Sequence, residues 1–325
     1  MDDIFSIQMV DVLMKRLFVI LVVLASACTP YKNVSMLSSM SELNYPFEVK
    51  SVVLSNDMNV AYVDEGSGDQ TLLFIHGLGS YLPAWKKQLE ALSADYRCIA
   101  LDLPGYGKSS KGDFSYDMLF FANTVAEFIQ KMDLKNVTIV GHSMGGQIAI
   151  TMGLYHSDLM EKLVLVSPAG FETFHEGQKQ WFRDIFTAKL VKLTTAEAIQ
   201  SNLAYNFYNV PEDAEFMITD RLAMRTAADF DWYCLAIERS VKGMINQPVY
   251  DYLPKLDLPV LVMYGENDNL IPNRYLNPGT TTKIAKLGTN QIFGAQLKMI
   301  PKCGHFAQFD QSDFVNKSIM DFMNN

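Results

Sequence analysis

The chain has 325 residues, 49% of them hydrophobic and 19% charged, with a formal net charge of −9. That is enough to bury one large core with a small accessory region. An acidic chain without a basic run lacks the electrostatic footprint of a nucleic-acid binder and a polybasic patch for anionic lipid heads. Its cysteines, Cys28, Cys98, Cys234 and Cys303, are widely spaced and form no CxxC, which argues against a zinc site or a disulfide framework. No metal and no cofactor are expected.

In chain order the first feature is a leader. Met14-Lys15-Arg16 precedes an apolar run over residues 17–24 and the small residues Ala25-Ser26-Ala27. This is the order of a secretory signal, and the run is too short to span a bilayer comfortably. Asp2, Asp3 and Asp11 are foreign to such a leader, so Met14 is a candidate start. Ala25-Ser26-Ala27-Cys28 resembles a bacterial lipobox, with Ala25 where leucine is more usual. The resemblance implies that residues 1–28 are a lipoprotein signal and that Cys28 is lipidated, anchoring the protein to a membrane. Thr29 after the cysteine implies outer-membrane sorting, hence a cell-envelope location (outer membrane or periplasm). Ordinary cleavage nearby and an uncleaved anchor are the alternatives. Residues 29–46, rich in Ser, Asn, Pro and Met, read as a tether.

From about residue 48, short apolar runs alternate with helix-like segments. Strands are predicted over 49–54, 60–63, 72–75, 97–101, 137–140, 163–166, 260–264 and 297–300. Continuous Val/Ile/Leu runs indicate strands buried on both faces, so an α/β fold is expected, with a mostly parallel eight-stranded sheet flanked by helices. The first two strands, separated by Ser55-Asn56-Asp57, read as an antiparallel hairpin. The alternation stops over residues 171–256, where helical periodicity predicts helices at 179–189, 195–205, 212–226 and 231–242. An all-helical block in such a chain predicts a lid over the carboxyl edge of the sheet. The core is then 47–170 and 257–325.

The sharpest motif is Gly141-His142-Ser143-Met144-Gly145, which fits G-x-S-x-G between a predicted strand and a predicted helix. A serine there sits on a tight turn, so its neighbours must be small. Its hydroxyl needs a base, and the base needs an orienting group. Of five histidines, His76 and His142 belong to glycine-rich turns, and His156 and His175 fall in helical segments. His305 follows the last strand and is the candidate base. The loop after 260–264 offers Glu266 and Asp268. Asp268 lies deeper in the loop and is favoured, with chain order Ser143, Asp268, His305. Gly107-Lys108-Ser109 is no P-loop, since Asp102 occupies the first glycine position. His175-Glu176 opens no H-E-x-x-H, since Lys179 stands where the second histidine would be.

These motifs resemble the α/β-hydrolase family over nearly the whole chain after residue 46. His76-Gly77-Leu78-Gly79 is similar to the family's oxyanion loop, which implies oxyanion donors at the backbone N–H groups of Leu78 and Met144. Asp102-Leu103-Pro104-Gly105-Tyr106-Gly107-Lys108-Ser109 matches a loop that is structural more often than catalytic. The stretch 273–296 is longer than the family pattern and predicts an extra loop near the site. The resemblance implies a serine hydrolase acting through an acyl-enzyme on a carboxylic ester of a small or lipid-like hydrophobic substrate. Carbon–carbon bond hydrolysis of the meta-cleavage-product type is the alternative, on the likeness of Gly141 to Gly146 and of Ser167-Pro168-Ala169-Gly170. A non-catalytic binding lipoprotein with the same fold is the reading from another class. The lid is rich in aromatics, most of them expected to form its own core.

Overall fold

The structure is a computed structural model that describes residues 34–324. Eight apolar runs become strands: β1 (Lys50–Val53), β2 (Asn59–Glu65), β3 (Thr71–Ile75), β4 (Arg97–Leu101), β5 (Val137–His142), β6 (Lys162–Val166), β7 (Val260–Gly265) and β8 (Gln296–Ile300). They form one sheet in the order β1-β2-β4-β3-β5-β6-β7-β8. The β1–β2 and β2–β4 pairs are antiparallel and every later pair is parallel. Every residue of β3, β5 and β7 is buried, whereas the edge strands β1 and β8 are largely open. Covering a sheet on both faces requires continuous apolar strands at its centre, and that is the pattern of these runs.

Helices α1 (Lys86–Leu92), α2 (Met118–Lys131) and α3 (Met144–Tyr155) precede the insertion. The insertion between β6 and β7 holds α4 (Glu176–Ile185), α5 (Ala188–Lys192), α6 (Ala196–Tyr205), α7 (Phe216–Met224) and α8 (Phe230–Asn246). After β7 come α9 (Thr281–Thr289), α10 (Ala307–Asp310) and α11 (Ser312–Met323). On the sheet, α2 packs with α3, and α1 with α11.

Two details differ from the sequence reading. The helix predicted over 179–189 is broken. Phe186 leaves helical geometry (φ −96°, ψ 74°), and the Thr187 hydroxyl accepts from Leu190 N to start α5. Apolar periodicity runs through the break and hides it. The second difference is the tether. The folded unit begins at Met36, and Met40, Leu43 and Tyr45 are core residues. Leu37 N donates to Thr226 Oγ1 (2.8 Å) and Met40 N to Asp229 Oδ1 (3.0 Å). Ala228 N donates to Ser38 O (3.0 Å). Within the predicted tether, the segment from Met36 is instead bonded onto the fold as a strap, largely through its backbone. The predicted leader over 1–28, Cys28, and residues 29–33 of the predicted tether lie outside the described residues. Among the described residues no helix is long and apolar enough to cross a membrane.

Candidate active site

Ser143 joins β5 to α3 with φ 53° and ψ −117°, a conformation that costs a non-glycine residue about 1–3 kcal/mol. The neighbours show why the turn needs small residues. A Cβ on Gly141 would stand 2.3 Å from Gly145 O, and one on Gly145 2.3 Å from Ile75 O. The turn is held by Ser143 N donating to Val166 O (3.0 Å) and Ala169 N donating to Ser143 O (2.9 Å). Ser143 is partly exposed between buried neighbours.

His305, after β8, and Asp268, after β7, are both buried, and His305 Nδ1 lies 2.7 Å from Asp268 Oδ2. The other carboxylate oxygen accepts from Leu270 N (2.8 Å) and Ile271 N (3.0 Å), so the carboxylate is oriented from both sides. Glu266, the other candidate acid, is exposed. His142 ties the two loops together: its Nε2 donates to the His305 carbonyl (3.0 Å), and the two rings are 4.9 Å apart. Burial, with the nearby His305 acting in the same direction, holds His142 well below the usual histidine range, so it is neutral. The remaining histidines stand elsewhere. His156 bonds Asn123 Oδ1 (2.8 Å), and exposed His175 caps α4.

The turn carrying Leu78 closes with Ser80 N donating to Gly77 O (3.2 Å), and Gly79 has φ 67°. It lies against the serine, since a Cβ on Gly77 would be 3.1 Å from Ser143 Cβ. Met144 opens α3, where an N–H has no acceptor within its own helix and the helix dipole favours negative charge. The structure therefore brings Ser143, Leu78 and Met144 to one place and ties the His305–Asp268 pair to it through His142. Buried His76, pushed down to about 4 by desolvation, accepts from Leu103 N (3.0 Å) and donates to Gly77 O (2.8 Å). It knits the turn to the loop of Asp102. Buried Asp102 accepts from Leu82 N (2.7 Å), Lys108 N (2.8 Å) and Tyr45 OH (2.7 Å), a structural set of contacts.

Sequence reasoning missed Glu172. It accepts from Asn273 N (3.0 Å) and Asn277 Nδ2 (2.8 Å), and so holds the loop after Asp268. Burial pushes its carboxyl up to about 7, and the charge of Asp268 acts in the same direction. Nothing in its neighbours in sequence marks it, because its partners come from a hundred residues away. The long stretch 273–296 turns out to hold α9, capped by Thr280, with loop before it and a short turn between it and β8. Among the lid aromatics, Phe207, Phe230 and Tyr233 are buried, whereas Trp181, Tyr205, Tyr208 and Trp232 are exposed. Cys98, Cys234 and Cys303 are unpaired and buried, and desolvation raises each thiol above its usual range.

The chain is similar to known proteins. The 2-hydroxy-6-oxo-6-(2'-aminophenyl)hexa-2,4-dienoic acid hydrolase of Metapseudomonas resinovorans is 28% identical over 292 residues, 87% of this chain and 93% of its own. The 2-hydroxy-6-oxononadienedioate/2-hydroxy-6-oxononatrienedioate hydrolase 1 of Pseudomonas putida is 26% identical, over 82% of this chain and 92% of its own. The solved structure of an esterase from Exiguobacterium antarcticum shares the fold with a TM-score of 0.73 at 23% identity, over 86% of this chain and 100% of that one. Residues 70–312 match the alpha/beta hydrolase fold family. Sheet order, helical flanks and this match agree: the chain belongs to the α/β-hydrolase family and is a hydrolase.

Proposed function

We propose that this hydrolase cleaves carboxylic esters through an acyl-enzyme, with Ser143 as nucleophile, His305 as base and Asp268 as the acid that orients it. The observation that carries this reading is the 2.7 Å contact between His305 Nδ1 and Asp268 Oδ2, on loops tied to the Ser143 turn by His142. With the proton held at Nδ1 by the carboxylate, Nε2 is left to accept the Ser143 hydroxyl proton. Attack on the ester carbonyl places negative charge on its oxygen, which the N–H groups of Leu78 and Met144 receive; one such donor is worth ~10²–10³ in turnover. His305 returns the proton to the leaving alcohol. It then takes a proton from a water whose oxygen attacks the acyl carbon, and passes that proton to the Ser143 oxygen as the acid leaves.

A hydrophobic acyl group, small or lipid-like, is the substrate class we favour, on the apolar and aromatic character of the insertion. We also propose a lipid anchor at Cys28 and an envelope location, on the leader pattern alone. A fluorophosphonate probe is expected to label the wild type and not Ser143→Ala; labelling that survives the substitution overturns the nucleophile. Esters of graded acyl length define the substrate. Carbon–carbon hydrolysis is the second reading, because two relatives are named as hydrolases of 2-hydroxy-6-oxo dienoates. Turnover of a ring-fission product faster than of any ester would put it first. Metabolic palmitate labelling lost in Cys28→Ser tests the anchor.

A further inference from the structure

The turn that presents Leu78 is soft by composition. Gly77 and Gly79 flank Leu78, and glycine restricts the backbone least of all residues. The sheet side fixes one end: His76 Nδ1 donates to Gly77 O (2.8 Å), as does Ser80 N (3.2 Å). The other end is fixed from the insertion. Arg221 Nη1, on α7, donates to Gly79 O (2.6 Å), and the Tyr233 hydroxyl, on α8, donates to the same oxygen (3.1 Å). The guanidinium carbon of Arg221 lies 4.7 Å from the centre of the Tyr233 ring, so the two donors also hold each other. One step further along, Tyr81 OH donates to Asp220 Oδ2 (2.6 Å), the residue beside Arg221.

Arg221 is an unusual use of a half-buried cation. Among the described residues it has no carboxylate partner, and desolvation lowers its pKa only to about 10, so it stays charged at neutral pH. Even partial burial of a cation without a counter-ion is costly, so its position calls for a role beyond packing. A charge-assisted bond to a carbonyl is stronger than a neutral one, and here it falls on the turn least able to hold its own shape.

We propose that Arg221 and Tyr233 are positioning residues of the oxyanion site: seated in the insertion, they clamp the Gly79 carbonyl and thereby aim the Leu78 N–H at the developing negative charge. The inference rests on the serine-hydrolase reading above. Its consequence is that the insertion does more than cover the site. Transition-state stabilisation then requires α7 and α8 to be in place, whereas the bonds that join His305 to Asp268 and His142 are made without α7 or α8 side chains.

The test uses the full chain with Tyr233→Phe, Arg221→Met and Arg221→Lys, activated nitrophenyl esters, and a trifluoromethyl ketone as an analogue of the tetrahedral adduct. Misaiming one oxyanion donor is expected to lower kcat by about 10-fold in Tyr233→Phe and about 100-fold in Arg221→Met, with KM within about twofold. The inhibition constant of the ketone should rise in parallel with the loss in kcat, because both report the oxyanion. Arg221→Lys, which keeps a charged donor, should recover part of the loss. A raised KM with kcat kept would make Arg221 a substrate-binding residue and overturn the proposal, as would kcat within twofold of wild type in both Tyr233→Phe and Arg221→Met. If Arg221→Met fails to fold, Tyr233→Phe decides, since it removes only a hydroxyl. A wild type that neither hydrolyses esters nor takes the fluorophosphonate label defeats the serine-hydrolase reading and this inference with it. An active wild type with unaffected variants defeats this inference alone.

Discussion

The helix that follows Ser143 and the helices that open the insertion are built on opposite plans. In α3, ten of 12 residues are buried, and the helix lies between sheet strands and α2. In α4 and α5 no residue is fully buried, and in α6 only Ile199 is. Those outer helices are attached by polar bonds instead, such as Ala188 N to Glu238 Oε2 (2.6 Å) and Arg183 Nη2 to Asn246 Oδ1 (2.7 Å). The anchor of α4 and α5 is α8, which again has a buried face, and that of α6 is α7. The reaction proposed for Ser143 needs a frame that cannot shift, and close packing supplies it. A cover needs only to be seated, and few buried apolar contacts mean low local stability.

Four measurements would break or sharpen that contrast. The largest effect is expected in the frame's own side chains: Asp268→Asn or His305→Ala should lower kcat by about 10⁴ with activated esters. His175→Ala, in the insertion, and His156→Ala should stay near wild type. Comparable losses at all four positions would abolish the distinction. In stability, Leu165→Ala in β6, at a fully buried position, should cost about 2–5 kcal/mol in urea melts. Leu190→Ala in α5, 49% exposed, should change stability by less than about 0.5 kcal/mol. At the strap, Tyr45→Phe removes a donor from buried Asp102 and should cost about 1–3 kcal/mol.

The smallest signal is a slope. The carboxyl of Glu172, on the seam between frame and insertion, keeps its proton up to about pH 7, against a value of 4.5 for an ordinary glutamate. Between those values the native state binds the proton better than the unfolded chain, so stability falls as pH rises through this window and levels off above it. Glu172→Gln should flatten that slope. A slope unchanged by the substitution would assign it to other groups.

Much of the frame is legible in the sequence because its signals are local. The run at 137–140 followed by glycines announces both the buried β5 and the turn after it, and the observed strand extends only to His142. The pairing of His305 with Asp268 rather than Glu266 follows from loop depth, and the exposure of Glu266 agrees. What escapes depends on distant partners. Met40 is buried by residues far along the chain, so composition alone makes its segment look solvated. Phe186 breaks a helix without breaking its apolar periodicity. Arg221 grips a backbone carbonyl, and such a partner leaves no mark on the side-chain pattern.

The strap over residues 36–46 has a practical consequence for any truncation at the N-terminal side. Composition invites truncation at Phe47, where the α/β alternation begins. That cut would remove the core side chains of Met40, Leu43 and Tyr45 and leave buried Asp102 with two of the three donors named above. It would also strip Asp229 and Thr226, at the junction of α7 and α8, of their bonds to Met40 and Leu37. A version that begins at Met36 retains all of these contacts.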